Sequence, residues 1–325
     1  MFNDKCVLIT GGTGSFGKIM TETILSRYQP KKLAIFSRDE FKQFEMAQVF
    51  SPDKYPCMRY FLGDVRDPER LNEAFRNMDY VIHAAALKQV PALEYNPFEA
   101  VSTNIVGSQN IIRAAIKQHV KKIIALSTDK AANPINLYGA TKLCSDKLFI
   151  AGNAYVGHDE TSFAVVRYGN VIGSRGSVIP FFLKQRETGV LPITDTRMTR
   201  FWITLEQGVN HVIQLLEHME GGELYVPKIP SMNIMDLAKA IAPECRIEIV
   251  GIRPGEKLHE VMIPKDEGRN TVEFSDHYVI KPLFRYFDRW LSKMDCYPVP
   301  DDFEYNSGDN PWRLSIDEMR EILAR

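Results

Sequence analysis

Tyr138 and Lys142, a tyrosine and a lysine four residues apart, are the pair in this sequence best placed to move a proton. Pro134 interrupts the preceding pattern and a helical pattern resumes near Asn136. This puts both side chains on one helical face, one turn apart. A neighbouring ammonium lowers the pKa of a phenol, so we predict that Lys142 makes Tyr138 a usable base near neutral pH.

Three further polar residues, Thr128, Asp129 and Lys130, come shortly before that helix. They follow an apolar run at 123–126 that is short and bounded like a buried parallel strand. Open α/β sheets hold their ligands at the carboxyl ends of the strands, so we predict a site here that offers a hydroxyl, an acid and an amine. The alternative is an Asp–Lys pair that only caps the strand end.

The N-terminal segment predicts a dinucleotide-binding loop. An apolar strand pattern at 5–10 leads into glycines spaced as GxxGxxG, and a helical pattern follows to about Arg27. Glycine in this context lets the backbone approach a pyrophosphate at the helix N-terminus. The stretch also resembles a P-loop, but Ile19 replaces the Ser or Thr that would hold magnesium, which disfavours nucleotide triphosphate hydrolysis. The residues assigned to the loop are Gly11, Thr13, Gly14, Ser15, Phe16 and Gly17.

Ser37 and Arg38, at the end of the second apolar strand, indicate which dinucleotide to expect. An NAD site usually has an acidic residue here for the ribose hydroxyls, whereas a hydroxyl and a guanidinium suit a 2′-phosphate. Asp39 follows, and Lys42 adds a charge one turn later. We therefore predict NADP, the alternative being that Arg38 is a solvated surface charge. Further cofactor contacts are predicted at the next two strand ends, from Asp64, Val65, Ala84, Ala85 and Ala86.

The alternation of strand and helix up to residue 130 predicts an α/β fold with a right-handed, doubly wound parallel sheet. We predict a Rossmann domain over 1–169, to which 203–228 returns. A smaller α/β substrate lobe would be formed by 170–202 and 229–325.

Several polar residues beyond the first strands are candidates to hold a substrate. Lys88 follows the alanine-rich strand end and could contact a phosphate or a sugar. Asn170 and Arg175 lie in a polar loop after a strand at 163–168, and Arg200 and Arg253 could meet a diphosphate. The alternatives are a turn-forming asparagine and solvent-facing arginines.

The composition is that of an ordinary globular protein, with 45% hydrophobic and 25% charged residues. A formal net charge of -1 argues against a nucleic-acid-binding surface over the whole chain. No apolar run has the length of a membrane span, and we expect a cytoplasmic protein. The five cysteines are scattered, and Cys6 and Cys144 fall in a predicted core strand and a predicted helix, so we predict buried free thiols. The seven histidines form no metal-binding pair, so we predict no metal site.

Taken together, the motifs resemble those of the extended short-chain dehydrogenases/reductases. The glycine triplet, Asp64-Val65, the alanines at 84–86 and the Tyr138-x-x-x-Lys142 pair carry that resemblance. A narrower pattern lies at 126–142, 166–177, 198–202 and 253–259. It resembles the inverting UDP-N-acetylglucosamine 4,6-dehydratases, most of all the soluble members that open pseudaminic acid biosynthesis. The match spans nearly the whole chain.

The resemblance implies roles for the residues of the Tyr–Lys segment. Tyr138 would remove the C4 hydroxyl proton while hydride passes to NADP⁺, and Thr128 would hydrogen-bond the C4 oxygen or the sugar. Lys130 would be the base at C5, which requires a neutral amine and a pKa lowered by Lys142 or by burial. Asp129 would be the acid that lets the C6 hydroxyl leave, which requires a raised pKa.

The resemblance also implies a substrate, UDP-N-acetylglucosamine, and a homo-oligomer, either a dimer or a larger ring. NADP would be regenerated in each turnover, so the enzyme would be a hydro-lyase. The implied substrate contacts are Lys88, Thr128, Asn170, Val171, Ser174, Arg175, Gly176, Ser177, Arg200, Arg253 and Glu256. Two alternatives remain: a UDP-sugar 4-epimerase, which needs Tyr138 and Lys142 but not the Asp–Lys pair, and a non-enzymatic NADP-sensing regulator.

Overall fold

The computed structural model describes residues 1–157, 161–174, 176–282 and 295–324. Strands and helices alternate from the start of the chain. The strands are β1 Cys6–Thr10, β2 Lys32–Ser37, β3 Met58–Leu62, β4 Tyr80–His83, β5 Lys122–Thr128, β6 Ser162–Tyr168, β7 Asn170–Ile172, β8 Val190–Ile193, β9 Thr199–Thr204, β10 Leu224–Pro227, β11 Ser231–Asn233, β12 Arg246–Ile249, β13 Val261–Ile263, β14 Thr271–Glu273, β15 His277–Ile280, β16 Tyr297–Pro298 and β17 Tyr305–Asn306. The α-helices are α1 Ser15–Arg27, α2 Glu40–Val49, α3 Pro68–Ala74, α4 Val90–Tyr95, α5 Pro97–Ala100, α6 Gly107–Lys117, α7 Leu137–Gly152, α8 Val178–Arg186, α9 Leu205–His218, α10 Ile234–Ile241, α11 Lys265–Gly268 and α12 Ile316–Ala324.

One large sheet organises the described part of the chain, in the order β16-β14-β15-β10-β6-β5-β4-β1-β2-β3. Strands β1 to β6 and β10 are parallel. Helix α1 packs against α9, while α6 packs against α3 and α7. Strand β1 is buried along its whole length, as expected of a parallel strand covered on both faces. The predicted doubly wound α/β sheet is confirmed.

The parallel register brings the carboxyl ends of the strands to one edge of this sheet. Thr10 pairs with Phe36 of β2 and with His83 of β4, and Thr128 of β5 pairs with Tyr168 of β6. A polar or glycine-rich loop leaves each of these strands at that edge. The edge therefore gathers groups that are far apart in sequence.

Between α5 and α6 the helix widens into a π-helical stretch, Val101–Val106. The side-chain amide of Asn104 in this stretch forms hydrogen bonds of 2.9 Å with both the backbone N–H and the carbonyl of Leu87. It also donates to Thr141 Oγ1 of α7 at 3.0 Å. The loop after β4 is thus held against the helix that carries the predicted Tyr–Lys pair.

The second lobe is built on smaller sheets, with strand orders β11-β9-β7, β12-β8 and β13-β17. Its separate core includes Trp202, Phe182, Leu191 and Leu237, all buried. No helix in the described part of the chain combines the length and the apolarity needed to span a bilayer.

The C-terminal third is divided between the two lobes. Strand β10 pairs in parallel with β6, as the predicted return of 203–228 requires. The sequence-based division, however, placed all of 229–325 in the second lobe. Strands β15, β14 and β16 instead extend the large sheet beyond β10 as antiparallel strands. They pair with an edge of β10 that would otherwise be open, which no local pattern reveals.

Candidate active site

A cleft of about 1230 Å³ runs along the carboxyl edge of the parallel strands and is lined by both lobes. The predicted cofactor residues all line it: Gly11, Thr13, Gly14, Ser15, Phe16, Gly17, Ser37, Arg38, Asp39, Lys42, Asp64, Val65, Ala84, Ala85, Ala86, Tyr138 and Lys142. So do Lys130 and the substrate candidates Lys88, Thr128, Asn170, Val171, Ser174, Gly176, Ser177, Arg200, Arg253 and Glu256. Asp129 is fully buried and does not line the cleft, and Arg175 lies outside the described residues.

The glycine-rich loop leaves the N-terminus of α1 free to receive an anion. Gly11 has φ +64°, and a Cβ at this position would lie 2.8 Å from the backbone of Ala85, so only glycine fits there. Gly14 begins α1 without a side-chain cap, and the first turn of the helix contains no acidic residue. The uncapped amides and the helix dipole together suit a pyrophosphate.

Two further observations fit a nicotinamide dinucleotide in this half of the cleft. The hydroxyl of Thr103, a lining residue that the motifs did not single out, is buried with no hydrogen-bond partner among the described residues. Arg38 and Lys42 are about half exposed beside the end of β2. Asp39 caps α2 by accepting from Lys42 N at 3.0 Å, and its carboxylate also pairs with Lys42 Nζ at 2.6 Å.

Asp129 and Lys130 form a direct pair at the end of β5. Lys130 Nζ donates to Asp129 Oδ1 at 3.0 Å, and Thr128 Oγ1 donates to the same oxygen at 2.9 Å. The other carboxylate oxygen of Asp129 is buried without a partner among the described residues. Burial is the main cause that raises the pKa of Asp129, and Glu260 adds to it, against the opposing charge of Lys130. This direction agrees with the protonated acid that the sequence predicts.

The predicted lowering of the Lys130 pKa is wrong. Burial would lower it, but the negative charges of Asp129 and Glu260 outweigh burial, and the pKa of Lys130 is raised. Lys130 Nζ lies 3.5 Å from Glu260 Oε1 and 3.4 Å from Asn170 Oδ1. The amine therefore rests as an ammonium with three oxygen acceptors around it.

The predicted activation of Tyr138 by Lys142 also needs correction. Burial raises the pKa of Tyr138 to about 12, and Lys130 is the cation that opposes this rise. Lys142 is itself buried, and burial lowers the pKa of its amine, while Asp146, one turn further along α7, acts in the opposite direction. Helical spacing alone could not show that the closer influence comes from the end of β5.

Asp146 belongs to a buried network beneath the site. Its Oδ2 accepts from Ser127 Oγ at 2.8 Å and from Arg167 Nη2 at 3.4 Å. Arg167 is fully buried and reaches the second lobe, where Nη1 donates to Met262 O at 2.7 Å and to Glu267 Oε2 at 3.1 Å. The network joins β5, β6, α7 and the segment around β13.

Further contacts join the segment before β13 to residues 132–136, which connect the end of β5 to α7. Asn136 caps α7 by accepting from Gly139 N at 2.8 Å, and its amide nitrogen donates to Gly255 O at 2.9 Å. Lys257 Nζ donates to Ala132 O at 2.6 Å. Glu260 lies at the end of the same segment.

Arg200 and Arg253, the two predicted diphosphate ligands, are placed differently. The Arg200 guanidinium is largely committed to the protein, donating to Thr199 O at 2.7 Å, Leu258 O at 3.1 Å and Lys257 O at 3.0 Å. Arg253 is more than half exposed, and its backbone N–H contacts the carboxylate of Glu256 at 3.4 Å. The Arg253 guanidinium also lies 3.9 Å from Glu256 Oε1, but it is the less committed of the two.

A glycine in α7 provides a test of how tightly this segment is packed. A Cβ on Gly139 would overlap the carbonyl oxygen of Lys130. We expect Gly139→Ala to displace Lys130 and to lower kcat by about 10²-fold, because misplacement by about 1 Å is enough for a loss of that size. Gly208→Ala in α9 is the matched control, since its Cβ would meet nothing closer than 3.9 Å. Steady-state kinetics check both variants, and wild-type kcat in Gly139→Ala would contradict the close packing.

The family model described as polysaccharide biosynthesis protein matches residues 7–282 of the chain. The chain belongs to this family. Its residues fold as an extended short-chain dehydrogenase/reductase. The chain superposes on an X-ray structure of Pen from Bacillus thuringiensis with a TM-score of 0.90 at 38% identity, over 100% of this chain and 98% of that one.

Two curated relatives of this family member differ in their stated activity. A UDP-N-acetylglucosamine 4,6-dehydratase (inverting) from Campylobacter jejuni is 57% identical over 99% of this chain and 98% of its own length. A UDP-glucose 4-epimerase from Rickettsia canadensis is 40% identical over 99% of this chain and 96% of its own length.

Proposed function

We propose that the protein is an inverting UDP-N-acetylglucosamine 4,6-dehydratase, a hydro-lyase that uses NADP. The observation that carries the proposal is the Asp129–Lys130 pair, hydrogen-bonded at 3.0 Å, in which Lys130 lines the cleft with Tyr138 and Asp129 is buried directly behind it. Such a pair supplies an acid and a base to one substrate, which a C4 redox reaction alone does not require. The 57% identity to the Campylobacter dehydratase supports the same activity.

The first step is removal of the C4 hydroxyl proton, which we assign to Tyr138. Tyr138 rests as a neutral phenol, so it first releases its proton to solvent in the cleft. The positive charge of Lys130 stabilises the phenolate that results, and the high pKa makes this phenolate a strong base. The hydroxyl of Thr128 interacts with Tyr138 and is placed to hydrogen-bond the same substrate oxygen. Bound NADP⁺ would accept hydride from C4 and later return it to C6.

The second step is loss of water across C5 and C6, which we assign to Asp129 and Lys130. Movement of one proton from the Lys130 ammonium to Asp129 creates a neutral amine and a carboxylic acid together, without changing the charge of the site. The amine takes the C5 proton, acidified by the ketone at C4, and the acid protonates the departing C6 hydroxyl. Both groups then return to the charged pair. Solvent, which received the Tyr138 proton in the first step, returns a proton to C5 from the opposite face and so gives inversion.

The substrate is held, in our proposal, by residues on both sides of the cleft. Asn170 Oδ1 contacts Lys130 Nζ, so the same region can orient the sugar. Burial and the charge of Lys130 lower the pKa of Lys88, which makes its amine easier to desolvate against a ligand. Arg253, Glu256 and the polar loop with Val171, Ser174, Arg175, Gly176 and Ser177 would hold the UDP. Arg200 would contribute by fixing the segment that carries Arg253.

The preference for NADP rests on Arg38 and Lys42 beside β2. We expect Arg38→Ala to weaken NADP binding about 10- to 100-fold, because hydrogen bonds to charged groups contribute roughly 1.5–3 kcal/mol. NAD lacks the 2′-phosphate, so its affinity should change little. Fluorescence titration with both dinucleotides measures this, with the exposed Arg76→Ala as control. Equal losses for NADP and NAD would contradict the assignment of Arg38.

We also propose that the protein is a cytoplasmic homo-oligomer, either a dimer or a larger ring. Tyr95 and Phe98, in α4 and α5, are large apolar side chains left exposed on one subunit. The product would enter a pathway of modified sugars such as that of pseudaminic acid.

Proton NMR of UDP-N-acetylglucosamine incubated with the protein and NADP in deuterated water tests the proposed function. We expect a new C6 methyl signal, deuterium at C5 and ring couplings of the L-arabino configuration. A methyl signal with the D-xylo configuration would make the enzyme retaining. No change in the substrate would contradict the proposal.

A 4-epimerase is the second candidate, because the Rickettsia relative at 40% identity bears that description. An epimerase needs Tyr138 and Lys142 but has no use for an acid at C6. The same NMR experiment separates the two functions, since an epimerase would give only the C4 epimer and no methyl signal.

A further inference from the structure

Glu260 is a buried carboxylate that none of the motifs includes, yet it faces the Lys130 amine. It enters from the second lobe just before β13 and is 3% exposed. Ser307 fixes its backbone on both sides, since Glu260 N donates to Ser307 Oγ at 2.9 Å and Ser307 N donates to Glu260 O at 2.8 Å. The backbone that carries the carboxylate is therefore fixed on both sides.

Three cations surround this carboxylate. Its Oε1 lies 3.5 Å from Lys130 Nζ and 3.7 Å from Arg200 Nε, and its Oε2 lies 3.9 Å from Lys257 Nζ. Burial would raise the pKa of Glu260, but these charges outweigh burial and lower it. These charges, from β5, β9 and the segment of Glu260 itself, thus favour the ionised form of Glu260.

The presence of a second anion changes what Lys130 does to Asp129. An aspartate whose sole ionic partner is a lysine is held ionised and is a poor acid. Here the Lys130 ammonium is shared, at 3.0 Å from Asp129 Oδ1 and 3.5 Å from Glu260 Oε1. Glu260 takes part of that attraction and also repels negative charge on Asp129. Tyr138 is neutral at its raised pKa, so the phenol adds no charge of its own.

We propose that Glu260 is a positioning residue for the acid: a fixed negative charge that competes with Asp129 for the Lys130 ammonium and so lets Asp129 hold a proton. This inference rests on the proposed dehydratase chemistry, in which Asp129 protonates the departing hydroxyl. Glu260 touches no reacting atom and acts only through its two neighbours.

The test compares the pH dependence of kcat in Glu260→Gln, Glu260→Asp and wild type. Glutamine keeps the shape and removes the charge, so Asp129 should lose its proton at lower pH. In the pH range where kcat falls because Asp129 loses its proton, the ratio of variant to wild-type kcat should then drop by about tenfold as the pH rises. The reason is that a nearby charge shifts a pKa by one unit or more. Glu260→Asp keeps the charge, and its ratio should stay flat. A flat or rising ratio in Glu260→Gln would overturn the inference.

A direct titration removes any dependence on turnover. Carbon-13 NMR of protein labelled at aspartate follows the Asp129 carboxyl, and the Asp129→Asn variant assigns its signal. In wild type the pKa of this carboxyl should lie above the ordinary value of about 4. In Glu260→Gln the pKa of the Asp129 carboxyl should be lower than in wild type. A wild-type signal at or below the ordinary value would overturn the inference, even if the glutamine variant failed to fold. If wild type forms no deoxy product, the proposed function fails, while this titration still decides the role of Glu260.

Discussion

Asp129→Asn is expected to lower kcat for dehydration by about 10³-fold, in the range found for loss of a positioned general acid. Asparagine keeps the shape of the side chain but cannot protonate the C6 hydroxyl. Lys130 loses one of the two negative charges that hold its proton, so the ammonium gives that proton to solvent more readily and the amine becomes a more available base. Exchange of the C5 proton with deuterated water should therefore persist while the methyl signal disappears. NMR of the sugar measures both events in one sample.

Lys130→Met sharpens the same result, because it removes the base as well as the partner of Asp129. We expect both the C5 exchange and the methyl signal to be lost. Asp317→Asn, an exposed carboxylate in α12, serves as the unaffected control. If Asp129→Asn abolished C5 exchange and Lys130→Met retained it, the assigned roles of acid and base would be reversed.

Arg167→Met is expected to lower the free energy of unfolding by about 3–5 kcal/mol, the usual cost of removing one partner from a buried ion pair. The change removes the buried guanidinium that pairs with Asp146 and Glu267 and that donates to Met262 O, although Glu267 keeps the exposed Lys147 at 3.4 Å. Burial already raises the pKa of Asp146, and losing Arg167 raises it further. An acid whose pKa is higher in the folded than in the unfolded state destabilises the folded protein as the pH rises. The loss of unfolding free energy in Arg167→Met should therefore be smaller at acidic pH.

Urea denaturation at two pH values measures this effect. Arg186→Met is the matched control, because Arg186 pairs with Glu244 on the surface and such pairs contribute about 1 kcal/mol or less. Equal stability losses in the two variants would show that the buried network does not hold the lobes together. A loss for Arg167→Met that grew as the pH fell would contradict the assigned effect on Asp146.

The fold and most of the cleft lining follow from local features of the sequence. Glycine spacing between a strand and a helix places the loop at Gly11, and a four-residue interval places Tyr138 and Lys142 on one face of α7. These are short-range relations with a fixed geometry, so a pattern is enough to predict them. The return of 203–228 to the sheet follows from the strand–helix alternation.

The electrostatics of the site could not be read from local patterns. The pKa of Lys130 is raised because its neighbour Asp129 is joined by Glu260, which approaches from a segment 130 residues away. Glu260 follows the 253–259 motif directly, but no spacing distinguishes a buried carboxylate from a solvated one. The commitment of Arg200 to backbone carbonyls is likewise a property of how the lobes meet. Each of these outcomes depends on a contact between distant segments, and the sequence prediction failed at those points.

Asn136 caps α7 with its side-chain oxygen, and its amide nitrogen donates to the carbonyl of Gly255. A consequence concerns recombination between relatives of different activity. A chimera that exchanged only the second lobe would separate the 253–260 segment from the strand end and helix that it contacts in the native chain. To convert a dehydratase into an epimerase by recombination, residues 127–142 and 253–267 would thus have to be transferred together, although more than a hundred residues separate them.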